Sequence, residues 1–204
     1  PAGETWSPRF SYYGFRYVQV EGAVPEDTAD APADLPRVLD LRGQFLSNSA
    51  EVVGEFACSN PLVNQIHELI NAAIRSNFQS VLTDCPHREK LGWLEVSHLL
   101  ASSILYNYDG ARFYEKIGRD MREAQLDNGL VPDIAPEFTV FSGGFRDSPE
   151  WGSACVVNPW VLWETYGDRR ALAENFDTMK RYTDYLATRA DTNGIVAYGL
   201  GDWC

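Results

Sequence analysis

Thirteen consecutive residues, Thr83-Asp84-Cys85-Pro86-His87-Arg88-Glu89-Lys90-Leu91-Gly92-Trp93-Leu94-Glu95, hold three carboxylates, two cations, a histidine and a tryptophan. This mixture suits proton transfer. Cations beside a carboxylate pair can push its two pKa values apart, leaving one acid and one base at neutral pH. On that reading Glu89 donates a proton in glycoside cleavage and Asp84 binds sugar hydroxyls. The same residues also fit a solvated surface turn with Arg88 in a salt bridge, since charge clusters are common on protein surfaces.

A reactive loop needs a frame. Upstream, Leu62, Ile66, Leu69, Ile70, Ala73 and Ile74 recur at helical spacing. Ser59 or Asn60 can cap that helix, Pro61 suits its first position, and it should run to about Phe78. Downstream, residues 91–107 read as a second helix through Leu94, Leu99, Leu100, Ile104 and Leu105. A third, 111–126, is capped by Asp109 and shows Phe113, Ile117 and Met121 on one face. A fourth spans 151–166 with a kink or late start near Pro159, and a fifth runs from an Asp168 cap to about Ala190. Trp160 and Trp163, mid-helix, are expected in the core.

The order of these elements places the loops. Two helices separate the connection at 80–90 from that at 127–150, and two more separate the latter from 190–204. In an antiparallel array all three connections fall at one end. That end would gather Asp84, Arg88, Glu89, Trp93 and Glu95 with Asp133, Glu137, Phe141, Glu150 and Trp151, and with Asp202 and Trp203. Carboxylates accept paired hydrogen bonds from adjacent hydroxyls, and aromatic faces cover the C–H side of a pyranose. The alternative for Trp151 and Trp203 is core packing.

Residues 1–54 read differently. Phe10 to Gly22 is rich in aromatic and β-branched residues and alternates from Phe15 to Glu21, and 38–46 is a second strand candidate. The acidic, proline-containing run 23–36 between them should be a surface loop. Two or three strands are not stable alone. This part is therefore the end of a β-sandwich, or a flap packed on the helical part.

Composition limits the partners. The chain has 204 residues and a formal charge of −12, which disfavours a nucleic-acid partner. No apolar run approaches the roughly 20 residues that span a bilayer. Cys58, Cys85, Cys155 and Cys204 form no metal-ligand pattern and are expected to be mostly buried small residues; no metal and no cofactor is implied. The chain opens at Pro1, as an excised piece would.

The run from Asp84 to Trp93 closely resembles the Asp-Cys-Pro-x-Arg-Glu-(Arg/Lys)-Leu-Gly-Trp signature of glycoside hydrolase family 78 α-L-rhamnosidases. Phe10 to Val18 resembles the Tyr-x-Gly-Phe-Arg-Tyr strand of the β domain that precedes their catalytic domain, and Phe56 to Asn64 the start of its first helix. Pro149 to Gly152 and Gly201 to Trp203 resemble its later active-site loops. The resemblance implies a mainly α protein: part of an (α/α)6 barrel over 55–204, preceded over 1–54 by the last strands of a β-sandwich. It implies an inverting hydrolase releasing terminal α-L-rhamnose, with Glu89 as general acid and Asp84 on the sugar. Arg88, Trp93, Glu95, Glu150, Trp151, Asp202 and Trp203 would complete the sugar site. Where many members carry an Asp three residues after the tryptophan this chain has Val96, with Glu95 one position earlier. One residue turns a helical side chain by roughly 100°, so Glu95 does not simply substitute. The family's general base maps onto no residue here, and about five helices of the twelve a six-hairpin barrel needs are present. The 204 residues alone are thus expected to show little activity. Two other readings fit the residues: another (α/α)-barrel carbohydrate enzyme, or a non-catalytic helical sugar-binding module.

Overall fold

The computed structural model describes residues 3–201. Asp202 and Trp203, expected at the third loop, and Cys204 lie outside the described residues. Among the described residues, seven α-helices occupy most of the chain beyond residue 60. Helix α1 spans Pro61–Asn77, with the Asn60 side chain accepting from the Leu62 N–H and proline in its first turn. This is the start its sequence dictates, because proline lacks a donor that the first turn does not need. Helix α4 spans Ala111–Ala124. Helix α7 spans Arg169–Arg189 and is capped by Asp168, whose side chain accepts from the Arg170 N–H.

Two helices are broken where the sequence predicts single ones. The expected helix over 91–107 is α2 (Leu94–Leu99) and α3 (Ala101–Leu105), with Leu100 between them. It starts late because Trp93 pairs with Ile134 in an isolated bridge and the Leu94 N–H goes to the Asp133 carbonyl at 2.9 Å. The expected helix over 151–166 is α5 (Pro149–Gly152) and α6 (Ala154–Tyr166). The break falls at Ser153, while Pro159 stays inside α6. The two broken elements meet: His98 in α2 lies 2.8 Å through its ring nitrogen from the Glu150 carbonyl in α5.

Helix α6 is the hub, packing on α2, α3, α4 and α7. Its sequence is apolar on nearly every side, as a helix surrounded by others requires. Ala154, Cys155, Asn158, Pro159 and Leu162 are buried in it, against a core that includes Tyr114, Ile104, Met121 and Tyr182. One buried polar chain crosses this packing. Ser97 Oγ donates to the Leu94 carbonyl, Asn158 Nδ2 donates to Ser97 Oγ at 2.8 Å, and Tyr114 Oη donates to the Ser97 carbonyl at 2.8 Å. It ties α2, α4 and α6 together. Trp160 departs from expectation: it is 48% exposed and leans on Trp163 at 4.7 Å between ring centroids. Of the cysteines, Cys155 is buried, Cys85 half-buried and Cys58 exposed, so the expectation of mostly buried cysteines fails for Cys58.

The closest approach in the core involves Gly152. A Cβ there would stand 2.3 Å from Tyr182 Oη and 2.6 Å from its Cζ. Tyr182 is 1% exposed and has no room to retreat. Gly152→Ala is expected to destabilise by about 2 kcal/mol, the usual cost of overpacking a rigid core, read as a lowered urea midpoint.

The first 54 residues do not form the expected strands. Residues 15–21 have no regular structure, with a bend at Arg16, and Phe15, Tyr17 and Val18 are exposed. A strand needs a ladder neighbour for its backbone groups, and among the described residues none lies beside this run. The pairing found instead is parallel and short, between β1 (Val24–Pro25) and β2 (Arg37–Val38). It closes the acidic loop expected to be plain coil. Arg37 pins that loop further, donating to the Glu26 carbonyl at 2.6 Å and the Thr28 carbonyl at 3.1 Å.

Candidate active site

The loop after α1 is closed at its base by one residue. Asp84 Oδ1 accepts from the Leu91 N–H at 2.9 Å, and the Asp84 N–H donates to the Leu91 carbonyl at 3.2 Å. Between these anchors the chain makes a turn over 86–89, with Arg88 and Glu89 exposed. Lys90 leaves the turn in the left-handed region, at φ 54°. Glu89 is aimed from the far side of the loop: the Trp93 indole N–H donates to its Oε2 at 2.8 Å. Trp93 is itself held in place. Its ring stacks on Phe141 with centroids 5.5 Å apart and meets Trp151 edge-on at 6.3 Å.

The second loop contributes a buried acid that sequence reasoning placed at this end without giving it a role. Asp133 is fully buried. Its Oδ1 accepts from the Ser148 N–H at 2.9 Å, while Oδ2 has no partner. Burial, with repulsion from Asp147, Glu150 and Glu95, pushes its pKa up to about 7 against the pull of the Ser148 N–H. The signal was present in the sequence: Leu130, Val131, Ile134 and Ala135 around it are all apolar and all buried. The main chain at Asp133 holds both neighbouring loops, through Leu94 N–H and through its own N–H to the Arg146 carbonyl at 3.2 Å. Arg146 grips Glu137 with two bonds, of 2.6 and 2.9 Å.

The third loop joins through Asp147. Tyr185 at the end of α7 and Tyr198 beyond it both donate to this carboxylate, and the Arg189 guanidinium lies 3.7 Å away. Burial and these bonds hold the Tyr198 phenol well above its usual range. The Leu200 N–H reaches Ser148 Oγ at 2.9 Å. The connections at 80–90, 127–150 and 190–201 therefore meet at one end of the helices.

Of the residues expected to hold a sugar, Asp84, Trp93 and Glu95 are half-buried, and Arg88, Glu89 and Glu150 are exposed. Trp151, expected among the sugar contacts, is 6% exposed and belongs to the core, where it supports Trp93 from the side. Two surface hollows lie elsewhere. One of about 550 Å³ is lined by Val52, Phe56, His67, Asn71 and Tyr108 among others, and one of about 460 Å³ by Trp160, Trp163, Leu172 and Phe176 among others. Neither includes a residue of the loop cluster, where Glu89 is exposed. Among the described residues no group of three or more His, Cys, Asp or Glu side chains could hold a metal ion, and no helix is long and apolar enough to cross a membrane.

Residues 51–204 match the family model for the bacterial α-L-rhamnosidase six-hairpin glycosidase domain. The chain belongs to that family. Residues 2–38 match the model for the bacterial α-L-rhamnosidase concanavalin-like domain. The chain is 33% identical over 208 residues to an α-L-rhamnosidase of Formosa agariphila, covering 98% of this chain and 21% of that protein. It is 35% identical over 201 residues to one of Streptomyces avermitilis, covering 98% and 18%. The six-hairpin family member thus spans about a fifth of the length of the curated relatives it matches. Among solved structures, the α-L-rhamnosidase from Dictyoglumus thermophilum superposes with a TM-score of 0.75 at 35% identity, over 83% of this chain and 19% of that one. The Streptomyces avermitilis α-L-rhamnosidase complexed with L-rhamnose gives 0.70 at 36%, over 77% and 15%. The helices of this rhamnosidase-family chain are accordingly part of a six-hairpin (α/α) barrel.

Proposed function

We propose that this chain carries the proton-donating side of an α-L-rhamnosidase active site, in a protein that cleaves terminal α-L-rhamnose from glycosides or polysaccharides by inversion. The bond from the Trp93 indole to Glu89 carries this reading most directly. An N–H donor favours Oε2 as the carbonyl oxygen of a neutral carboxyl, which leaves Oε1 to bear the proton. Glu89 is exposed in the loop cluster, where a leaving glycosidic oxygen can meet it. The Trp93–Phe141 stack offers an aromatic platform for the sugar's apolar face. Asp84, Arg88, Glu95, Glu150 and, beyond the described residues, Asp202 and Trp203 complete the sugar site. Trp151 acts through Trp93.

Inversion needs a second carboxylate that activates water on the opposite face of the ring, with the two carboxyls separated enough to admit it. We assign that base to the part of the relatives' length that this chain does not span, since the family's general base maps onto no residue here. A division near residue 54, with a β-type segment before it and the helical catalytic segment after it, is supported by the limits of the two family-model matches. Proton NMR of the first sugar released by the full-length protein tests the mechanism. β-L-Rhamnose is expected before mutarotation; initial α-L-rhamnose would show retention and refute single displacement.

A further inference from the structure

The aromatic run before the barrel touches the chemistry at one place. The Gly14 N–H donates to the Pro86 carbonyl at 2.8 Å, and Tyr12 Oη donates to Thr83 Oγ1 at 3.3 Å. From the other side, Lys90 Nζ donates to the Tyr12 carbonyl at 3.2 Å and sits 3.7 Å from the centre of the Tyr13 ring. These contacts bracket the turn that carries Glu89, at its start and at its end. They leave most of Tyr13 in solvent, at 66% exposure, so core packing does not account for them.

We propose that Tyr12–Gly14 is a positioning strap for the proton donor: Tyr13, Gly14 and Lys90 set the direction of Glu89 and keep the lysine cation off its carboxyl. The inference rests on Glu89 being the acid.

Three observations support it. Lys90 holds a left-handed backbone, which costs a side chain with a Cβ and persists only when its surroundings fix it. The Tyr12 carbonyl and the Tyr13 face supply that fixing, as a ring face attracts an ammonium. Second, among the described residues no ion pair joins Lys90 to its neighbour Glu89. A cation beside that carboxyl would favour its ionised form and disable it as a donor; the strap gives the ammonium another partner. Third, the approach at Gly14 is close: a Cβ there would stand 3.0 Å from Pro86 Cγ and 3.2 Å from its Cβ. The backbone of the strap rests directly on the turn.

The test compares a substrate that needs protonation with one that does not. In the full-length protein, Tyr13→Leu and Lys90→Met are assayed on methyl α-L-rhamnoside and on 2,4-dinitrophenyl α-L-rhamnoside, with Tyr13→Phe as the conservative control. Misplacing a catalytic group by about an ångström costs up to about 100-fold. Both variants should therefore lose roughly 10- to 100-fold in kcat on the methyl substrate, with KM and the dinitrophenyl rate changed less than about 3-fold. Tyr13→Phe, which keeps the ring face, should behave as the parent. Equal losses on both substrates, loss in KM alone, or no loss overturns the strap. Glu89→Gln is run beside them. If it shows the leaving-group selectivity and the strap variants do not, the strap alone fails; if Glu89→Gln lacks it, the assignment of the acid fails.

Discussion

Glu89→Gln in the full-length protein is expected to lower turnover of alkyl rhamnosides by about 100- to 10,000-fold, the usual worth of a positioned general acid. Dinitrophenyl rhamnoside, whose leaving group departs as a stable anion, should lose far less. L-Rhamnose affinity should be nearly unchanged, because the Gln amide oxygen still accepts the Trp93 indole N–H that holds Glu89 Oε2. The selectivity carries the information. Loss of fold or of sugar binding would lower both rates together, whereas loss of a proton donor lowers only the rate that needs the proton. Kinetics on both substrates with calorimetric titration of L-rhamnose check this. A sugar-binding module would have no turnover to lose, and a rate independent of the substitution would remove Glu89 from the mechanism.

Asp133→Asn should stabilise the protein above neutral pH and remove a slope from its stability profile. The carboxyl titrates near 3.8 in a free chain and at about 7 when folded. Between those values the folded state holds the proton more tightly, so stability falls as pH rises through that window. The penalty is complete above about pH 7, and is of order 4 kcal/mol for a carboxyl moved from 3.8 to about 7. Asparagine keeps an oxygen for the Ser148 N–H that Asp133 Oδ1 now accepts, and carries no charge to bury. Urea midpoints of parent and variant should separate by pH 8 and converge near pH 4. A parent that gains stability between pH 4 and 7 relative to the variant would mean that the buried carboxylate is ionised and compensated.

What the sequence revealed followed local rules. Asn60-Pro61 and Asp168 marked helix starts because capping is decided by one or two residues. The loops' common end followed from counting helices. The late start at Leu94 was hidden, since a long-range bond from its N–H to the Asp133 carbonyl sets it, and the break at Leu100 has neither Gly nor Pro beside it; Gly152 stands next to the break at Ser153, where the Glu150 carbonyl meets His98. The run 15–21 has the composition of a strand, but a strand is completed by its neighbour. Trp160 was expected in the core and is exposed, and Trp151 stood open between sugar contact and core, because a helix position does not say which neighbour arrives to cover it. Asp133 reads as one more surface acid unless the apolar residues on both sides are weighed with it.

Helix α7 separates two jobs along its length. Its last turns hold the mouth through Tyr185 and Arg189, while its first turn follows the left-handed Gly167 that closes α6. Twenty-one residues at about 1.5 Å each put those ends roughly 30 Å apart. Ionic screening at physiological salt fades a charge over about 8 Å, so the Asp168–Arg170 pair is not felt electrostatically at the Tyr185 and Arg189 end of the same helix. A dye attached at that corner would report from the end of α7 opposite to the one that meets the three connections.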